Sequence, residues 1–92
     1  MAVTLDLDNS RYVFTDDDGE VAGEMTFIEE DGVLLLTKAE IWPERQGQGL
    51  GFPLVRQTLE MIEAEGRGPI RPVCPYVAKF LMKNLEFQHL VA

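Results

Sequence analysis

The stretch ERQGQGLGFP, residues 44–53, places three glycines and two glutamines within six consecutive positions. Glycine is costly in regular structure because it loses the most backbone freedom on folding. These glycines lie between a stretch that predicts a strand and a stretch that predicts a helix. A strand, a glycine-rich turn and a helix suit phosphate, because the first turn of a helix carries free N–H groups and a partial positive charge.

Three kinds of phosphate-binding site use such a loop, and the residues that flank the glycines distinguish between them. A P-loop ends in Gly-Lys-Ser/Thr, but Leu50, Gly51 and Phe52 follow the second glycine here, so a P-loop is excluded. A dinucleotide fingerprint needs an acidic residue after the next strand, and PIRPVCPY contains none. The pyrophosphate of coenzyme A is the third ligand. The structural alternative is a glycine-rich turn that binds nothing.

The residues before the glycines predict three antiparallel strands, at 11–15, 20–28 and 33–42. Asp18-Gly19 and Asp31-Gly32 separate these strands, and each predicts a two-residue hairpin turn because such turns require positive φ angles. No internal repeat, low-complexity tract or linker interrupts the chain.

After the glycines the apolar period becomes helical. Apolar residues recur at three- to five-residue spacing and predict a helix that ends before Gly66. Residues 69–74 predict a short strand whose prolines restrict it to an edge or an interrupted pairing, and Pro75 begins a second helix. The predicted fold class is therefore α/β (α+β), with antiparallel hairpin strands and then strand, helix, strand and helix around one sheet.

Composition limits the function classes. The 92 residues include eight Lys or Arg and sixteen Asp or Glu, which gives a net charge of −8. This length predicts a single domain over residues 1–92. The acidic balance argues against a nucleic acid partner, because that binding relies on basic residues that neutralise phosphates. It suits either a cationic partner or plain solubility.

Cys74 and His89 are the single cysteine and the single histidine, so we expect no internal disulfide and no metal site. The first residues, MAVTLDLDNS, lack the basic and apolar regions of a signal peptide. No apolar run approaches the roughly 20 residues that a membrane span requires. We therefore expect a cytoplasmic protein with no membrane partner.

The stretch QGQGLG, residues 46–51, resembles the Q/R-x-x-G-x-G/A signature of the GNAT-superfamily N-acetyltransferases. The preceding IWPE is similar to the strand and Pro-Glu that lead into this loop in those enzymes. CPYV at residues 74–77, and NLEFQHLVA at residues 84–92, resemble a miniature single-domain branch of the superfamily. The resemblance covers about residues 19–91 and implies a small GNAT-like fold that uses acetyl-coenzyme A as the acetyl donor.

The resemblance also implies a binding site in which loop amides hold the pyrophosphate and a backbone amide near the end of the strand polarises the thioester carbonyl. Lys79, on the last helix, is a further candidate for phosphate contact, against the alternative of a solvated lysine. The predicted coenzyme A residues are Ile41, Trp42, Gln46, Gly47, Gln48, Gly49, Leu50, Gly51 and Lys79. The chain departs from the branch at Lys38, where a histidine is usual, and at Asn84-Leu85, where His-Pro is usual.

Acetyl transfer needs a deprotonated amine, a polarised carbonyl and a proton for the leaving thiolate. Cys74 lies between a strand and a helix N-terminus, where a thiolate is stabilised. It is a candidate nucleophile or a group that lines the acetyl pocket; the alternative is a small buried apolar residue. Tyr76 matches a superfamily tyrosine that protonates the thiolate, and its alternative is a packing ring. Glu40 is a candidate general base, and its alternative is a solvated strand residue.

The sequence therefore predicts an acetyl-coenzyme A-dependent N-acetyltransferase. Its acceptor is a cationic amine such as a protein or peptide lysine or a polyamine, reached from an open side because the turns between strands are short. Two alternatives stay open. One is a module that binds acetyl-coenzyme A or coenzyme A without catalysis, and the other is an adaptor that uses its acidic surface.

Overall fold

The computed structural model describes residues 1–92 and is built on one five-stranded sheet with the strands in sequence order. Three 3-10 turns join or follow the main elements, at Leu7–Asn9, Pro43–Arg45 and Leu85–Leu90. The strands and helices are β1 (Ala2–Asp6), β2 (Arg11–Thr15), β3 (Val21–Glu30), β4 (Val33–Ile41), α1 (Gly51–Ala64), β5 (Ile70–Pro72) and α2 (Pro75–Lys83). The predicted α+β class is confirmed.

The first four strands are antiparallel neighbours, and β5 returns parallel to β4 after the α1 crossover. The prediction of three strands before the glycines is wrong, because the structure has four. The additional strand is β1, which pairs with β2 from Ala2, opposite Thr15, to Asp6, opposite Arg11. The signal that the prediction missed is the run Asp8-Asn9-Ser10, three residues that favour turns. The link from β1 to β2 is a 3-10 turn that ends at Ser10 in the left-handed region (φ 51°), with no glycine or proline.

One of the two predicted hairpin turns is confirmed. Asp31 and Gly32 have φ angles of 52° and 79°, as a two-residue turn of type I′ requires. The β2–β3 turn is longer than predicted, since only Gly19 has a positive φ (81°) and its N–H donates to the carbonyl of Asp16 at 3.1 Å. The Asp16 carboxylate also accepts the N–H groups of Asp18 and Glu20, at 2.8 and 3.0 Å, and these bonds favour the longer turn.

Both helices bury their apolar side chains against one face of the sheet. On α1, Leu54, Val55, Leu59 and Ile62 are fully buried, and each such side chain contributes about 1.5–3 kcal/mol relative to exposure. We call this side the helix-covered face. Its sheet residues are Tyr12, Phe14, Met25, Phe27, Leu34 and Leu36.

The alternate residues of the same strands lie on a side that no helix covers, which we call the open face. Its residues are partly or fully exposed and include Arg11, Val13, Glu24, Thr26, Leu35, Lys38 and Glu40. Arg11 joins two strands there, through ion pairs with Asp6 at 2.9 Å and Glu24 at 3.0 Å. No helix of the chain is both long enough and apolar enough to cross a membrane.

Candidate functional site

The glycines after β4 keep the backbone in conformations that other residues avoid. Gly47 and Gly49 have φ angles of 84° and 73°, in the left-handed region. No atom lies within 4 Å of the place where a Cβ would stand at either position. The two glycines are therefore required by the backbone conformation of the loop, and the space beside them is open to a ligand.

The loop presents unpaired N–H groups at the start of α1. The amides of Gly47, Gly49, Leu50 and Gly51 donate no hydrogen bond within the chain, and the first helical bond runs from Leu54 N–H to the Leu50 carbonyl at 3.0 Å. Pro53 falls in the first helical turn, where an N–H would have no partner. With the N–H groups of Gln48 and Phe52, which also donate no bond, six free donors lie at the positive end of a 14-residue helix.

The end of β4 turns its backbone toward the same loop. The N–H of Trp42 donates to the Ala22 carbonyl on β3 at 2.9 Å, so the neighbouring residue Ile41 directs its own N–H and C=O away from β3. On that side β5 pairs with β4 only as far as Leu36. The Ile41 carbonyl accepts a bond from Gln46 Nε2 at 3.1 Å, which closes the base of the loop over the strand end.

A cleft of about 330 Å³ opens where β4, the loop and α2 meet. It joins four residues that the sequence predicted as site residues, from three separate segments of the chain. The remaining loop residues of the prediction, Trp42, Gly47, Gln48, Gly49 and Leu50, lie beside the cleft without lining it. The lining residues are Ala39, Ile41, Gln46, Gly51, Leu54 and Tyr76.

Tyr76 stands in the first turn of α2 and is about half exposed. A Cβ added to Gly51 would lie 2.8 Å from its hydroxyl oxygen, which is closer than real contacts allow. Gly51 therefore has a different reason to be glycine from Gly47 and Gly49. It leaves room for the tyrosine over the start of α1.

A second cleft, of about 290 Å³, adjoins the first through Tyr76 and lies between the start of α1 and the side of α2, from Tyr76 to Asn84. Lys79 and Lys83 line it, and neither ammonium group takes part in an ion pair. Phe52 also lines it, nearly half exposed, with its ring 5.2 Å from that of Phe80. The sequence pattern did not indicate Phe52, although an exposed aromatic residue at the second position of a glycine-led helix is a usable signal.

Two predicted catalytic residues lie outside both clefts. Cys74 is 7% exposed within the hydrophobic core, and its N–H donates to the Leu36 carbonyl at 2.9 Å. Glu40 is on the open face, because its neighbours Ala39 and Ile41 point to the cleft and side chains alternate along a strand. Its carboxylate forms an ion pair with Lys38 at 3.1 Å.

An ion pair connects the Pro43–Arg45 turn, which leads from β4 into the glycine loop, to the β2–β3 turn. Arg45, the last residue of the Pro43–Arg45 turn, contacts the Asp16 carboxylate at 2.7 Å, and both side chains are largely shielded from solvent. The pKa of the Asp16 carboxyl is lowered, first by the hydrogen bond from the Glu20 N–H and then by Arg45. The β2–β3 turn and the loop are thereby connected.

Comparison with known proteins adds a family match. A family model described as GCN5-related N-acetyl-transferase matches residues 11–90, a range that contains the loop and all the residues of both clefts. A comparison with curated proteins finds no match. The predicted small GNAT-like fold is confirmed by the family match together with the mixed five-stranded sheet.

Proposed function

The chain belongs to the GCN5-related N-acetyl-transferase family, and from that premise we propose that it transfers the acetyl group of acetyl-coenzyme A to a cationic amine. The observation that supports this most directly is the set of free amides at the start of α1, beside a cleft lined by Ile41 and Tyr76.

The pyrophosphate of coenzyme A binds the free amides of Gly47, Gly49, Leu50 and Gly51. A helix N-terminus favours anions, and glycines let them approach the backbone. The pantetheine and thioester then extend into the first cleft, and the nucleotide end lies toward the second. Two unpaired ammonium groups, of Lys79 and Lys83, supply positive charge there in a chain whose net charge is −8.

The chemistry needs few groups. The free N–H of Ile41 polarises the thioester carbonyl, and one such donor is worth about 2.7–4 kcal/mol in comparable sites. A neutral amine attacks the carbonyl carbon, the C–N bond forms and the C–S bond breaks. The leaving thiolate takes the hydroxyl proton of Tyr76, and the surplus proton of the amine passes through water back to the Tyr76 oxygen.

Direct transfer is favoured over an acetylated enzyme. A Cys74 intermediate would require the thiol to reach the thioester, and the residue is buried in the core outside the cleft. A nucleophile that works must lie within reach of the carbonyl carbon. We therefore propose that Cys74 supports the fold at the start of α2, and that the amine attacks the thioester itself.

The acceptor reaches the site from the open face. The links between the first four strands are short, and no helix lies over this side. The net charge of −8 gives the chain as a whole an attraction for cations, and the Glu40 carboxylate lies on this face, paired with Lys38. A lysine in a protein or peptide, or a polyamine, suits an acidic chain whose acceptor side is open.

A second candidate function is binding of acetyl-coenzyme A or coenzyme A without catalysis. One observation favours it: the six residues that line the first cleft include no carboxylate and no imidazole that could take the proton of an amine. The two functions share the loop and differ in whether Tyr76 is needed.

Calorimetric titration of acetyl-coenzyme A into Gly49→Val tests the shared site. A valine there would fill the space of the pyrophosphate, so binding should be lost. Gly66→Val is the matched control, because Gly66 also has a positive φ (67°) and open space around it, at the far end of α1. Equal affinity in both variants would contradict the proposed function. Binding without release of coenzyme A in the presence of lysine peptides would favour the binding module.

A further inference from the structure

The Asp16 carboxylate makes three polar contacts, which together use both of its oxygens. Oδ1 accepts the N–H groups of Asp18 and Glu20, and Oδ2 contacts Arg45 at 2.7 Å. The side chain of Asp16 is only 12% exposed, and that of Arg45 is 22% exposed. Each of the other ion pairs on this protein has at least one side chain that is more exposed than either of these. A shielded carboxylate with several donors is held in one position.

Arg45 lies directly before Gln46, the first residue of the glycine loop. Two backbone bonds close the Pro43–Arg45 turn itself. Three further bonds attach the segment between β4 and the glycines to its surroundings: Trp42 to Ala22, Gln46 to Ile41, and Arg45 to Asp16. The first two attach this segment to the neighbouring backbone. Only the third attaches it to a different turn, at the end of the β2–β3 hairpin.

After Gln46, no hydrogen bond or ion pair of this kind holds the loop. Gly47, Gln48 and Gly49 are exposed, and the amides of Gly47 and Gly49 have no partner in the chain. A loop of glycines loses much entropy when it is ordered around a ligand, so binding gains when its base is already fixed. The position of Arg45 therefore determines where the free amides begin.

We propose that the Asp16–Arg45 ion pair is a positioning device that holds the glycine loop in its phosphate-binding conformation. This inference rests on the proposed binding of coenzyme A at the loop. Neither side chain touches the ligand. The pair acts through the backbone from Arg45 to Gly49, and the β2–β3 turn is a part of the donor site in spite of its distance along the chain.

The variant Asp16→Asn tests the device. An asparagine oxygen still accepts the turn amides, but the charge that holds Arg45 is lost. Affinity for coenzyme A, measured by calorimetry, should fall about tenfold, the usual scale for a residue that acts on a site without contacting it. Asp18→Asn is the matched control: it removes the same charge from the same turn, has no contact with Arg45, and should bind as the wild type does.

Pantetheine separates positioning from general damage. It fits the first cleft but carries no phosphate, so its affinity, measured by NMR titration, should be equal in wild type and Asp16→Asn. Arg45→Gln should match Asp16→Asn, and the double variant should be no worse than either, since the two residues act as one unit.

Several results would overturn the inference. Equal coenzyme A affinity in Asp16→Asn and wild type would do so, as would a parallel loss of pantetheine affinity. A loss in Arg45→Gln without one in Asp16→Asn would mean that Arg45 contacts a phosphate directly. If the wild type binds no coenzyme A at all, the proposed function fails and this inference fails with it; a wild type that binds while Asp16→Asn binds equally removes this inference alone.

Discussion

The helix-covered face and the open face of the sheet carry different side chains on the same strands. On β4, Leu36 is fully buried under the helices, whereas its neighbour Leu35 is only partly covered on the other side. The helix-covered face continues at the end of β4 into the clefts and the glycine loop. The open face carries ion pairs, such as Arg11 with Glu24, and a bond between the hydroxyls of Thr26 and Thr37 at 2.9 Å.

This difference separates two tasks. The proposed donor site needs fixed geometry, because the loop amides would have to meet a pyrophosphate, and it lies where the two helices pack on the sheet. An acceptor that arrives on a longer molecule needs access, and the open face offers it. We infer that helices on one side of the sheet are sufficient for the proposed reaction when the acceptor amine belongs to a larger molecule.

The largest expected effect is on the free energy of unfolding, which should differ between substitutions on the two faces. Leu36→Ala should lower the free energy of unfolding by about 3–5 kcal/mol, because it leaves a cavity under both helices. Leu35→Ala, one residue away on the open face, should cost less than about 1 kcal/mol. Urea unfolding followed by circular dichroism measures both. Equal losses would show that the open face is covered in solution, for example by a second molecule.

The sequence predicted the features that depend on local chemistry. The apolar period from Leu54 to Ile62 indicated α1, Pro75 indicated the start of α2, and the motif at residues 46–51 indicated the loop with its free amides. These signals lie within a few residues of one another. The same holds for Asp31-Gly32, where two adjacent residues determine the turn.

Features that depend on distant residues were missed. The β2–β3 turn is longer than Asp18-Gly19 indicated, because Asp16 holds it through side-chain bonds. The second cleft exists because Phe52 and Phe80 meet across two helices, which no local pattern shows. Cys74 could be exposed or buried at a helix start, and in the fold its side chain lies in the core while its N–H bonds to the Leu36 carbonyl of a distant strand.

The next effect concerns which residue of α2 serves the chemistry. Tyr76→Phe should lower kcat by about a hundredfold, the lower range for loss of a general acid, with the affinity for acetyl-coenzyme A unchanged. Cys74→Ala should retain kcat within about threefold and should mainly lower stability, as a buried residue does. Release of coenzyme A with a lysine peptide as acceptor measures both. A Cys74→Ala enzyme with no activity at full acetyl-coenzyme A affinity would instead indicate an acetylated cysteine.

The smallest expected effect lies on the open face and concerns the acceptor. Glu40→Gln should reduce kcat/KM for a lysine peptide about two- to fivefold at low salt, because an exposed charge contributes only about 0.2–1 kcal/mol. Glu30→Gln is the control, since it removes the same charge at the opposite end of the sheet. The effect should shrink as salt rises, because the Debye length is about 10 Å at 0.1 M. Turnover of a neutral amine should be unchanged in both variants. If neutral amines are acetylated as fast as cationic ones, or if Glu30→Gln has the same effect as Glu40→Gln, the acceptor does not approach along the open face beside β4.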